Sequence, residues 1–91
     1  MQLLPKEAGF SPERLKRVDS YLSGLVESNQ LAGVAAYLFR HGKSAYQYCT
    51  GWLDKEKAIP LKEDAIYLTC SLSKTFTIVT LMTLYEKGLF R

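Results

Sequence analysis

Residues 71–88, SLSKTFTIVTLMTLYEKG, are the stretch on which the fold turns. Lys87 falls in the last turn and Gly88 just past it, the usual close of an α-helix. The apolar residues Leu72, Phe76, Ile78, Val79, Leu81, Met82, Leu84 and Tyr85 do not make one stripe; they run most of the way round. A helix apolar on nearly all sides needs cover from several directions. The expectation is therefore a helix over 71–88 that the rest of a 91-residue chain cannot enclose.

Working back from that helix, Asp54 to Asp64 is charged and contains Pro60, so it reads as a surface connection. Before it, Gly33–Phe39 (GVAAYLF) is a short apolar run, expected as a strand covered on both faces. Lys43–Trp52 is rich in aromatic residues and returns antiparallel to it. His41-Gly42 fills the two turn positions between them, because Gly accepts positive φ and His tolerates it better than most residues. Further back, Ser11-Pro12-Glu13 sets an N-cap, a first-position proline and an early acid for a helix over about 12–28. Its apolar stripe is Leu15, Val18, Leu22 and Leu25, with Tyr21 and Val26 beside it and Lys16, Arg17, Ser20, Ser23 and Glu27 opposite. The order helix, strand, strand, helix makes the chain an α+β unit in which residues 1–91 form part of one domain.

The composition excludes several function classes. An apolar fraction of 47% with 23% charged residues is that of an ordinary globular protein. The net charge of +3 is scattered without a basic stripe, so no nucleic acid is expected as partner. Thr75 to Tyr85, the uncharged run within the last helix, is about 11 residues against the ~20 needed for a membrane span. The first residues, MQLLPKE, lack the apolar core of a secretory signal, which reads as cytoplasmic, or as exported if a signal was removed. Cys49 and Cys70 match no zinc spacing, His41 is the sole histidine, and both cysteines are expected reduced and buried. No metal or cofactor is implied.

The chemistry concentrates at Ser71-Leu72-Ser73-Lys74. Residues three apart on a helix share a face, so a lysine amine can reach a serine hydroxyl one turn earlier. A serine becomes a useful nucleophile when a neighbouring base takes its proton, and a neutral lysine serves. Burial near a helix N-terminus disfavours the ammonium form, and the same terminus leaves N–H groups free to hold an oxyanion. Against this stands a plainer reading, in which Ser71 only caps the helix and Lys74 is a solvated first-turn residue. Ser73 is the poorer nucleophile because Lys74 is its immediate neighbour, and Cys70 lacks a nearby base. A Ser-x-x-Lys tetrapeptide would occur by chance in roughly a third of chains this long, so its context has to decide.

That context resembles a known family. From Leu31 to Arg91 the order of features is similar to the beginning of class C β-lactamases, low-molecular-weight penicillin-binding proteins and β-lactamase-like esterases. The shared features are an apolar strand, a turn at His41-Gly42-Lys43, a returning strand ending Gly51-Trp52-Leu53-Asp54, and a loop at Ile59-Pro60-Leu61. Ser71–Thr77 follows as Ser-x-x-Lys-Thr-Phe-Thr, and Glu86–Leu89 as Glu-x-Gly-Leu. The resemblance implies Ser71 as nucleophile and Lys74 as its base. It implies an antiparallel sheet with helices on both faces beside an all-helical domain, of which this chain would be the N-terminal part.

It also implies acyl transfer from a β-lactam, a D-Ala-D-Ala peptide or an ester through an acyl-enzyme. The family's later Tyr-x-Asn and Lys-Thr-Gly motifs do not occur here, and Tyr67-Leu68-Thr69-Cys70 replaces the usual Phe-x-Ile-Ala. The isolated chain is therefore expected to be inactive, with helix 71–88 meeting a missing C-terminal part or a second copy. The competing expectation is a non-catalytic interaction module built on that helix.

Overall fold

The computed structural model describes residues 2–91 and shows two helices and a three-stranded antiparallel sheet, an α+β arrangement. Helix α1 (Pro12–Glu27) begins where the sequence places it: Ser11 Oγ accepts from the Arg14 N–H at 3.4 Å and donates to Glu13 at 2.9 Å. Glu13's carboxyl lies below the usual range because backbone and Ser11 hydrogen bonds favour its ionised form.

Strands β1 (Gly33–Arg40) and β2 (Lys43–Asp54) form the hairpin. His41 and Gly42 both take positive φ, 52° and 71°, as a primed two-residue turn requires. The register shifts at Leu38/Phe39, where β2 holds one extra residue. A third strand, β3 (Ile59–Pro60), lies within the stretch expected to be an irregular connection. It pairs with β2 at Trp52 and Asp54. Two residues are too few to show alternation, and Pro60 is tolerated because the strand is an edge.

The packed face of α1 keeps Leu15, Leu25 and Val26 of the expected stripe half-buried and adds polar residues to it. Leu22 is buried, but Val18 and Tyr21 are exposed, while Asp19 and Ser23 turn inward. Tyr46 donates to Asp19 Oδ1 at 2.5 Å, and the Tyr48 and Ser23 hydroxyls lie 2.6 Å apart. Tyrosines are amphipathic, so where a strand presents two of them the facing helix needs polar partners rather than more leucine. Ala8, Leu22, Ala45 and Tyr46 are the buried hydrophobic residues.

The segment before α1 straps the hairpin's end. Leu4 N–H donates to Ser44 O at 2.8 Å, Arg40 stands 5.6 Å from the centre of the Phe10 ring, and Lys43 pairs with Glu7 at 3.0 Å. At the other end Gly33 faces Gly51. A Cβ on Gly51, whose φ is 91°, would lie 2.5 Å from Ala32 O and 2.7 Å from Gly33 Cα.

One expectation about cover fails and another holds: β1 is not enclosed by helices, and the described residues do not enclose the last helix. Tyr46 and Tyr48 bond α1, so β2's alternation puts Gln47 and Cys49 on the opposite face, with their β1 partners Tyr37 and Ala35. That face carries no helix: Tyr37 and Phe39 are exposed, and only the segment after β3 runs along it, leaving Ala35 and Cys49 half-buried. The last element is likewise uncovered. Helix α2 (Ser73–Glu86) is preceded by a 3₁₀ turn at Cys70–Leu72 and closed by Lys87 and a positive-φ Gly88. All its side chains are exposed, and its only element-level contact is with the 3₁₀ turn before it. The radius of gyration is 17.4 Å, where a compact chain of this length has about 12 Å. Among the described residues no helix is long and apolar enough to cross a membrane.

Candidate active site

Tyr67-Leu68-Thr69 leads into the turn that carries Ser71. Cys70 takes φ 48°, a left-handed conformation uncommon for a residue with a side chain. Such conformations cost of order 1–3 kcal/mol and persist where the surroundings hold them. Here the Thr69 and Ser73 hydroxyls meet at 2.8 Å across the turn, and the Leu72 N–H donates to Thr69 O at 3.0 Å. Nothing in the residue type announces this corner, because cysteine is not a left-handed former.

The corner directs Ser71 into solvent. Ser71 sits in the middle of the 3₁₀ turn, and Lys74 in the first turn of α2. Residues three apart along helical backbone share a face, so both lie on one side of the polypeptide. Among the described residues neither the Ser71 hydroxyl nor the Lys74 amine has a hydrogen-bond partner, and the Ser71 N–H donates to no backbone carbonyl. A free serine hydroxyl, a lysine one turn on and an unused N–H are the parts an acyl-transfer site needs at its nucleophile end.

Of the plainer reading, the helix cap at Ser71 does not hold, whereas Lys74 is the solvated first-turn residue it describes. The cap position of α2 is Leu72, that of the 3₁₀ turn is Thr69, and neither makes a side-chain capping bond. Ser73 is tied to Thr69, and its carbonyl accepts from Thr77 Oγ1 at 3.0 Å. The burial expected around Lys74 is absent: both Ser71 and Lys74 are exposed.

Both cysteines are free, but only Cys49 is partly covered; Cys70 is exposed, contrary to expectation, because α2 has nothing above it. Cys49 donates weakly to Leu61 O at 3.6 Å, and burial pushes its thiol up, Glu63 adding to the shift. It lines an open cavity of about 530 Å³ with Leu61, Lys62, Glu63 and Asp64. Tyr37 donates to Glu63 O at 3.3 Å along the same edge. The Tyr67 phenol is also raised, by burial first and then by Cys49 and Tyr37. Sequence spacing did not point to this cluster, since it forms only when residues 61–67 fold back along the sheet. Among the described residues no group of three or more His, Cys, Asp or Glu side chains gathers to hold a metal.

Comparison with known proteins covers the same stretch. The Beta-lactamase family model matches residues 18–91. Esterase EstB of Burkholderia gladioli is 26% identical over 72 residues, or 79% of this chain and 18% of that protein. The chain thus spans less than a fifth of the length of that relative.

Proposed function

This chain belongs to the β-lactamase family, and from that membership we propose that Ser71 is the nucleophile, and Lys74 the base, of a serine hydrolase acting through an acyl-enzyme. One observation carries the proposal: inside the family match, Ser71 and Lys74 stand one turn apart with hydroxyl, amine and Ser71 N–H all free of other partners.

In the first step Ser71 Oγ attacks the acyl carbonyl carbon while its proton passes to the Lys74 amine, a role that asks for cover over Lys74 which the described residues do not give. The carbonyl electron pair moves to oxygen, where the Ser71 N–H stabilises it. Collapse restores the carbonyl and breaks the bond to the leaving group, which takes the proton from Lys74. Water then attacks the seryl ester, releasing the acid and the serine. An ester is the favoured substrate class because the relative is named an esterase, ahead of a β-lactam or a D-Ala-D-Ala peptide.

The 91-residue chain performs this poorly by itself. It offers one oxyanion donor, and loss of the second alone costs ~10²–10³ in rate. No wall holds a substrate against the exposed Ser71.

Incubation with a nitrophenyl ester and with a fluorescent penicillin, followed by mass mapping of the acyl group, tests both statements. The expected result is a trace of single-turnover acylation at Ser71, without turnover, lost in Ser71→Ala and reduced in Lys74→Ala. Acylation at another residue, or its persistence in Ser71→Ala, would sink the assignment. Stoichiometric labelling by the isolated chain would overturn its inactivity.

A further inference from the structure

Between Thr69 and Ser73 only Cys70 takes a positive φ. Thr69, Leu72 and Ser73 all lie in the right-handed helical region. The corner therefore turns on one residue, whose dihedral angles aim the peptide plane joining Cys70 to Ser71. A trans peptide holds its C=O and N–H on opposite sides. The Ser73 N–H donates toward the Cys70 carbonyl and draws it toward α2. The Ser71 N–H is thereby turned the other way, out of the helix, where an oxyanion needs a donor.

We propose that the paired hydroxyls of Thr69 and Ser73 form a clamp that sets this plane, which makes both residues positioning groups for Ser71. The proposal rests on the reading of Ser71 as nucleophile. The two hydroxyls meet at 2.8 Å, and the Leu72 N–H closes on Thr69 O at 3.0 Å. These bonds join residues three and four apart, so the corner is built by its own neighbours. Ser73 is held at three places: its hydroxyl by Thr69, its N–H by the Cys70 and Ser71 carbonyls, and its carbonyl by Thr77 Oγ1 at 3.0 Å. It is the fixed end of the clamp, and Thr69 is the end that closes.

The hydroxyl pairing belongs to the corner and not to a helix. Within α2, Thr77 and Thr80 turn their hydroxyls back to the carbonyls four residues earlier, Ser73 O and Phe76 O. Were Cys70 to relax to right-handed φ, α2 would continue back through Ser71, and Ser73 would bond the Thr69 carbonyl in the same way. In the corner that carbonyl is taken by Leu72, and Ser73 goes to the Thr69 hydroxyl instead. Removing the Thr69 hydroxyl thus releases Ser73 to favour the relaxed form. Both hydroxyls are exposed and compete with water, so the clamp shifts the balance of the two forms by about two- to tenfold. A nucleophile and an oxyanion donor work only while both are aimed, so the rate follows that balance.

Isotopic labelling of cysteine alone marks Cys49 and Cys70, and the spectrum of Cys70→Gly tells them apart. A strong Overhauser effect between the N–H and Hα of Cys70 marks positive φ. It is expected in the unaltered chain and in Thr69→Ser, and weakened in Thr69→Val. A right-handed Cys70 in the unaltered chain, or an undiminished effect in Thr69→Val, would overturn the clamp.

The trace acylation of Ser71 by a nitrophenyl ester reads the positioning. Thr69→Val should slow it about two- to tenfold at every pH without moving the midpoint of its pH profile, because Lys74 is untouched, and Thr69→Ser should keep the original rate. Ser73→Ala should slow it as much, and the double variant no further, because each removes the same bond. Adding Cys70→Gly to Thr69→Val should restore most of the rate, since glycine enters the left-handed region without strain. Additive losses, a moved midpoint or an unchanged rate would each sink the positioning role while leaving the nucleophile in place. Acylation away from Ser71, or none, would instead remove the nucleophile assignment and the positioning role with it, the Cys70 signal standing as before.

Discussion

The two helices are nearly the same length, 16 and 14 residues, yet they differ in almost everything that holds a helix in place. Helix α1 is the more polar, and it is the one that packs. Its start is capped by Ser11, its Leu22 is buried, and Asp19 and Ser23 engage the tyrosines of β2. Helix α2 has the greater apolar content and buries none of it. Its threonines turn their hydroxyls back on the helix, Thr77 to Ser73 O and Thr80 to Phe76 O. Apolar content by itself therefore predicts demand for cover, and patterning with a partner decides whether that demand is met. An isolated helix of 14 residues is marginal in water, so α2 depends on that cover for its own order.

The contrast can be broken most directly at Leu22. Leu22→Ala should cost about 2–4 kcal/mol in urea unfolding, because it empties the seam between α1 and β2. Leu81→Ala measured in dilute solution should cost less than about 0.5 kcal/mol, since no strand or other α-helix packs on that side chain. Equal losses would mean that α2 is packed on its own body. Hydrogen exchange sharpens the same point, with α1 amides protected and α2 amides exchanging rapidly in dilute solution.

Gly51→Ala comes next, at about 1–3 kcal/mol. The added Cβ meets backbone on the neighbouring strand at 2.5 Å and 2.7 Å, and the positive φ strains any side chain there. Loss of the hairpin's circular dichroism, with α2 no worse than before, would place the damage in the body.

Tyr46→Phe should cost about 1 kcal/mol by removing the bond to Asp19. Burial, reinforced by Asp19, holds the Tyr46 phenol above its ordinary range. A group whose pKa is raised by folding contributes stability that is complete below its unfolded value and lost as pH rises through the folded one. Stability should accordingly be flat in this respect below about pH 10 and fall above it, and Tyr46→Phe should remove that part of the decline. The smallest effect belongs to Lys43→Ala, whose partly exposed pair with Glu7 should yield less than about 0.5 kcal/mol.

Local signals made much of this chain legible before any coordinates. The Ser11-Pro12 start of α1, the His41-Gly42 turn and the Gly88 stop are each set by the chemistry of one or two residues, and each appears where expected. The Ser71–Lys74 spacing was equally plain, because it asks only for one turn of helix.

What escaped the sequence depends on contacts between distant residues. The turning inward of Asp19 and Ser23 is decided by two tyrosines more than twenty places on. The third strand exists only because β2 offers it an edge, and the left-handed corner at Cys70 is held by hydroxyls on either side of it. The sequence by itself determined which segments are helix and strand, and that α2 would need cover. Only the tertiary structure decided that Asp19 and Ser23 turn inward and that one face of the hairpin lacks a helix among the described residues, because periodicity records how much apolar surface an element carries and not what stands opposite it.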